Sequence, residues 1–149
     1  MTRTDPAARH RAREAALQML YQSEIGRAGV AETILTFWPA NDPSGEADED
    51  LRTFANRLVR ETSSRVDEID RLIAAHAHNW RLERMAVIDR LVLRLAIAEL
   101  LADRGTPPKV VINEAIELAR TFSGDEAVPF VNGVLDAVRK ELDPSNVRD

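Results

Sequence analysis

With 149 residues, the chain is long enough for one ordinary domain whose core needs neither a metal nor a cross-link. It contains no cysteine, which excludes disulfide frameworks, thiolate zinc sites and cysteine nucleophiles together. A net charge of −5 argues against non-specific nucleic-acid binding, yet over residues 1–13 Arg3, Arg9, Arg11 and Arg13 face Asp5 alone. An otherwise acidic protein therefore begins with a basic arm.

In chain order, Asp5-Pro6 predicts a helix start, and the helix is placed at about residues 6 to 26. Ala12, Ala15, Ala16, Met19 and Leu20 form its buried stripe. Arg9 and Arg13 lie one turn apart on one flank and Arg11 on the other. Two guanidinium forks so spaced can meet consecutive oxygens of a phosphate backbone. Residue chemistry alone favours the plainer reading, a solvated helix end partly neutralised by Glu14 and Glu24. Gly26 and Gly29 are expected to end this helix, and Val30 to Trp38 suggests a short second one. Residues 39–46, with Asn41-Asp42-Pro43-Ser44-Gly45, read as the clearest linker.

Asp48, Glu49 and Asp50 stand where a helix begins, with negative charge against the positive end of its dipole. Leu51, Phe54, Ala55, Leu58 and Val59 continue that helix, Ser63-Ser64 breaks it, and Val66, Ile69, Leu72 and Ile73 mark the next. Arg57, Arg60 and Arg65 form a second basic group, read as surface pairing with the interleaved Glu61, Asp67, Glu68 and Asp70. His76 and His78 are two residues apart, so on a helix they cannot share a metal. One packed and one exposed histidine is the expectation.

The most apolar stretch, Met85 to Leu101, carries Asp89, Arg90, Arg94 and Glu99. It predicts a helix enclosed by others rather than a membrane span. The N-terminus has no continuous apolar run of a secretory signal, so a cytoplasmic protein with no membrane association is expected. Asp103-Arg104-Gly105 ends the helix, Thr106 is placed to cap the next, and Pro107 and Pro108 fall in its first turn. Val111, Ala115, Leu118, Ala119 and Phe122 make one stripe before Ser123-Gly124 stops it.

Val131, Val134, Leu135, Val138 and Leu142 make the last stripe. Asn132-Gly133 inside it is also a hairpin signal, but the flanking apolar residues keep helical spacing. A helix is preferred, with Gly133 as a buried small residue that lets a neighbour approach. Both Phe122 and Phe130 read as core, although Phe130 could instead offer a stacking face to an unpaired base.

Glu114 and Glu117 could pass for paired catalytic carboxylates, but Arg120 follows three residues after Glu117, which predicts salt-bridged surface. No nucleotide-binding glycine loop, nucleophile elbow or metal-ligand spacing is present in the sequence, so no cofactor, no metal and no enzymatic activity are expected. The class is all-α, about seven helices in two packed helical groups. The N-terminal half is set at about residues 1–78, the C-terminal half at about 79–142, with a short tail over 143–149.

The stretch Ile112-Asn113-Glu114-Ala115-Ile116-Glu117-Leu118-Ala119, then Phe122, then Phe130-Val131-Asn132-Gly133-Val134-Leu135-Asp136 closely resembles the C-terminal signature of the NusB family of bacterial transcription antitermination factors. The resemblance extends to Arg9-His10-Arg11-Ala12-Arg13-Glu14-Ala15 with Leu20-Tyr21, and to Ile88-Asp89-Arg90-Leu91-Val92-Leu93-Arg94-Leu95-Ala96. It implies a NusB-like fold and a non-enzymatic factor that binds boxA RNA of ribosomal RNA operons. It also implies heterodimer formation with NusE, a small-subunit ribosomal protein, and action with other Nus factors on RNA polymerase.

Under this resemblance, Arg9, His10, Arg11 and Arg13 form the phosphate-contacting arm, and the loop from Ser123 to Phe130 supplies base contacts through Glu126 and Phe130. Tyr21 and Asp89 are the implied NusE contacts, an acid facing a basic partner. Two departures stand out: His10 where an arginine is common in the family, and Val128-Pro129 where a basic or polar residue often stands. Some relatives form homodimers that hide the arginine arm. The competing reading is a helical interaction module with no RNA specificity of its own.

Overall fold

A computed structural model of the chain describes residues 5–78, 82–102 and 105–143. Trp80, Arg3, the helix end at Asp103-Arg104 and residues 144–149 of the expected tail lie outside these. Among the described residues there are seven α-helices, two short 3₁₀ turns and no strand. The all-α expectation is thereby met. The chain divides into two compact units, the first ending at Ser64 and the second beginning at Arg65.

The first unit holds α1 (Pro6–Gly26), α2 (Val30–Asn41) and α3 (Glu49–Ser64), each packed on the other two. Asp5 caps α1, its carboxylate accepting the Ala7 amide at 3.1 Å, and Pro6 occupies the first helical position. Ala12, Ala15 and Ala16 keep one face of α1 thin. Leu17, Met19 and Leu20 complete its buried stripe, and α3 contributes Phe54, Ala55, Leu58 and Val59. Each such large apolar side chain is worth about 1.5–3 kcal/mol on burial.

α1 ends at Gly26 as expected, and local chemistry corrects one boundary, the start of the linker. The residue in left-handed conformation after α1 is Arg27, at φ 55°, and not a glycine; its amide bonds back to the Ser23 carbonyl. Gly29 instead opens α2 as its N-cap. Pro39 lies inside α2, so the expected linker begins only after Asn41. That linker is closely tied: the two carboxylate oxygens of Asp42 accept the amides of Glu46 and Ala47 at 2.9 and 3.0 Å. Asp48 then caps α3 by accepting the Leu51 amide at 2.9 Å.

The second unit holds α4 (Val66–His76), α5 (Val87–Ala102), α6 (Pro108–Phe122) and α7 (Val128–Leu142). As its composition predicts, α5 is enclosed: Leu91, Val92, Leu93, Leu95, Ala96, Ile97, Ala98 and Glu99 are all buried, and α4, α6 and α7 all pack on it. Arg94 of α5 grips Asp70 of α4 with two parallel bonds of 2.8 and 3.0 Å. At the far end of α4, His76 meets Glu141 of α7, while His78 is exposed. The dividing point at Ser64 differs from the expected one near residue 78. The reason is packing: α4 buries Ile69 and Ile73 and lies against α5 and α7, which makes it part of the second unit.

Three further details differ from expectation. The N-cap position of α6 is Pro107, not Thr106. Phe122, the last residue of α6, is 36% exposed, because the stripe runs past its cover at the final turn. Gly133 is helical as expected but exposed, and a methyl group built there meets nothing within 4 Å. No neighbouring element among the described residues approaches it closely.

Candidate nucleic-acid interface

The arginines of α1 separate onto two flanks, as their spacing requires. On one flank Arg9 lies over the ring of Phe54 at 3.7 Å from its centre, and Arg13 reaches the same ring at 5.3 Å. Arg13 is 5% exposed, so it is a packed residue and not the open fork its sequence position suggests. Burying an arginine is tolerable here because its stem fills apolar space and the ring face attracts the guanidinium. Arg9 is half-buried and borders a groove of about 280 Å³ between α1 and the start of α3.

A third guanidinium faces the same ring. Arg57 of α3 stands 5.4 Å from the Phe54 centre and lines the groove with Arg9. Reading the charge run around Arg57 as surface pairing missed this. The available signal was spacing, since Phe54 and Arg57 are three residues apart and therefore share a helix face. Arg65, from the same run, does pair with Glu68 at 3.9 Å. Asp5, Asp48 and Asp50 also line the groove; Asp5 and Asp48 are engaged as caps of α1 and α3.

On the other flank Arg11 is exposed and makes no ion pair among the described residues. It borders a second groove of about 490 Å³ with Gln18 of α1 and Trp38 and Asn41 of α2. The indole of Trp38 is held by donating to Asn56 at 2.9 Å. His10 lies between the flanks, its Nε2 at 3.2 Å from the Glu14 carboxylate, so that nitrogen faces the helix's own acid.

In the second unit, Glu126 and Phe130 border one turn. A 3₁₀ turn over Asp125–Ala127 follows Gly124 and passes directly into α7, so Val128, Pro129 and Phe130 form the first turn of α7 and not a loop. Gly124 takes φ 134°, ψ 163°, a conformation open essentially to glycine, and a methyl group there would fall 2.7 Å from the Glu126 carboxylate. Glu126 is exposed and Phe130 half-buried. Arg120 pairs with Glu117 at 2.6 Å and reaches Asp125 at 3.5 Å, which ties the end of α6 to this turn. That contact answers the acid-base reading of Glu117, now a salt-bridged surface residue.

Tyr21, on α1 of the first unit, is 41% exposed, and Ile25 one turn later is also exposed. Asp89 sits in the first turn of α5 in the second unit, where the helix dipole favours a carboxylate. Its Oδ1 is buried and has no hydrogen-bond partner among the described residues. Such an orphan acceptor costs free energy until something donates to it. None of the described His, Asp or Glu residues gathers into a group of three or more able to hold a metal ion, and no helix among the described residues is long and apolar enough to cross a membrane.

Comparison with known proteins agrees with this architecture. The chain is 50% identical to the transcription antitermination protein NusB of Myxococcus xanthus, over 91% of this chain and 96% of that one. Its fold is similar to that of NusB from T. maritima, with a TM-score of 0.82 and 34% identity, covering 97% and 96% of the two chains. It is also similar to a chain in a crystal structure of the antitermination factors NusB and NusE in complex with dsRNA. There the TM-score is 0.79 at 27% identity, covering 91% and 98%. A sequence model of the NusB family matches residues 10–140, nearly the whole of both units, and on that match this chain belongs to the NusB family.

Proposed function

We propose that this chain is a non-enzymatic antitermination factor that binds boxA RNA of ribosomal RNA operons together with NusE, as part of a Nus-factor complex on RNA polymerase in the cytoplasm. The observation that carries this reading is the basic start of α1. Arg9 is fixed over Phe54 beside a groove, and Arg11 stands unpaired by any described residue on the opposite flank. Arginine forks held by a rigid helix suit phosphate oxygens and fix the register of a strand, while bases are read elsewhere. Glu126 would accept from an exocyclic amino group, and Phe130 would stack on an unpaired base. The likeness to a chain solved with NusE and dsRNA supports both partners.

For NusE, the exposed Tyr21 and the carboxylate of Asp89 in the first turn of α5 supply the recognition chemistry. A basic partner beside Asp89 would add charge complementarity. The exposed apolar pair Tyr21 and Ile25 also fits the second reading, an interaction module that acts through its protein partner alone.

Salt dependence separates the two. Binding of a boxA-like single strand and a scrambled control is measured with and without NusE over a salt series, for wild type, Arg9→Ala and Arg11→Ala. Arg13 is left intact because it is packed. The proposal expects preference for boxA that rises with NusE, falls in both variants, and weakens log-linearly with salt by about 0.7 per single-strand phosphate contact. Equal, negligible binding of both RNAs in the presence of NusE would leave the interaction module.

A further inference from the structure

We propose that Arg57 of α3 is a phosphate-binding residue that grips the bound RNA together with Arg9, across the ring of Phe54; the proposal rests on the RNA-binding reading above. Three observations place it there. Arg9, Arg13 and Arg57 converge on one aromatic ring at 3.7, 5.3 and 5.4 Å from its centre. The ring attracts each cation through its face and so holds the donors in place before any ligand arrives.

Second, Arg57 is exposed and makes no ion pair among the described residues, although Glu61 lies one turn along the same helix. Its guanidinium is turned to Phe54 and the groove instead. Third, the groove of about 280 Å³ has Arg9 on its α1 wall, Arg57 on its α3 wall and Phe54 between them. The carboxylates of Asp5, Asp48 and Asp50 on the same groove make it a poor trap for a free anion. A phosphodiester already tethered by contacts at Arg11 or elsewhere arrives at high effective concentration and overcomes that opposition. The ligand is therefore one phosphate of a strand that crosses from α1 to α3.

The test compares wild type, Arg57→Ala, Arg57→Lys, Arg60→Ala and Arg9→Ala of the full chain with NusE, binding a boxA-like single strand over a salt series. Arg60 is exposed on the same helix and shares the charge but not the ring, so it reports general electrostatics. Arg57→Ala is expected to weaken binding roughly tenfold, as loss of a charge-assisted contact does, and to reduce the salt slope by about 0.7. Arg57→Lys should keep the slope and lose part of the affinity, because a point charge replaces a fork. Arg60→Ala should change affinity less than about twofold. If Arg57→Ala behaves like Arg60→Ala while Arg9→Ala weakens binding, Arg57 is only a surface charge and the proposal falls alone. If Arg9→Ala is equally silent, the RNA reading falls with it.

Discussion

Two glycines in the last third of the chain show how differently one residue type is used. Gly124 is required by its backbone, at φ 134°; the Glu126 carboxylate, 2.7 Å from an added methyl carbon, ends an exposed side chain that can swing away. Gly133 has an ordinary helical backbone, open space around it and no such requirement. Alanine at the two positions should therefore act with opposite signs. Gly124→Ala is expected to cost about 1–3 kcal/mol through backbone strain, and Gly133→Ala to stabilise by about 1 kcal/mol through helix propensity. Thermal unfolding checks both, at roughly 2–4 °C per kcal/mol for a chain of this size. A helix-breaking glycine is readable from sequence; that Gly133 is exposed and Arg27, not a glycine, takes the left-handed turn after α1 was not. Those depend on what each residue faces.

At the scale of elements, helical stripes were legible almost throughout. Most buried residues of α3 and α7 follow from apolar spacing, and the enclosure of α5 from its apolar composition, while buried Thr62 and half-buried Leu142 fall outside the pattern. What spacing could not reveal is which helix docks on which. The dividing point between the units moved from about residue 78 to Ser64 because α4 docks on α5 and α7, held by the Arg94–Asp70 fork. Asp70→Ala should therefore cost about 1–2 kcal/mol, the value of bonds to a charged group reduced for partial exposure. Hydrogen exchange should show α4 amides losing more protection than those of α5, which keeps its apolar cover on other sides. Equal loss in both helices would mean that the fork does not anchor α4.

For the whole molecule, the balance of charge sets how stability responds to acid. Arg139 bonds to the Asp136 carboxylate at 2.9 Å, with Lys140 beside it at 3.3 Å. The Arg139 hydrogen bond first, and the Lys140 one next, hold its pKa below the ordinary value of 3.8. A group whose pKa is depressed in the folded state contributes stability fully above the unfolded value and loses it as pH falls through the folded one. The Asp136 contribution is thus complete only well above the ordinary value of 3.8 and is lost progressively as pH falls below it. Asp136→Asn is expected to unfold with a shallower acid limb under pH 4 and the same slope above pH 5, followed by urea midpoints across that range.

The class, the helix stripes, the basic arm and the family signature are all legible in the residues, because each is a local pattern of periodicity, charge or motif. So is the salt-bridged reading of Glu117 and Arg120, which lie one turn apart on one helix. The packing of Arg13, the exposure of Phe122 and the approach of Arg57 to the arginines of α1 across Phe54 emerge from helix docking. The reason is the same in each case. Burial and encounter between distant residues are set by how helices dock, and a one-dimensional pattern gives the face of a helix but not what lies opposite it.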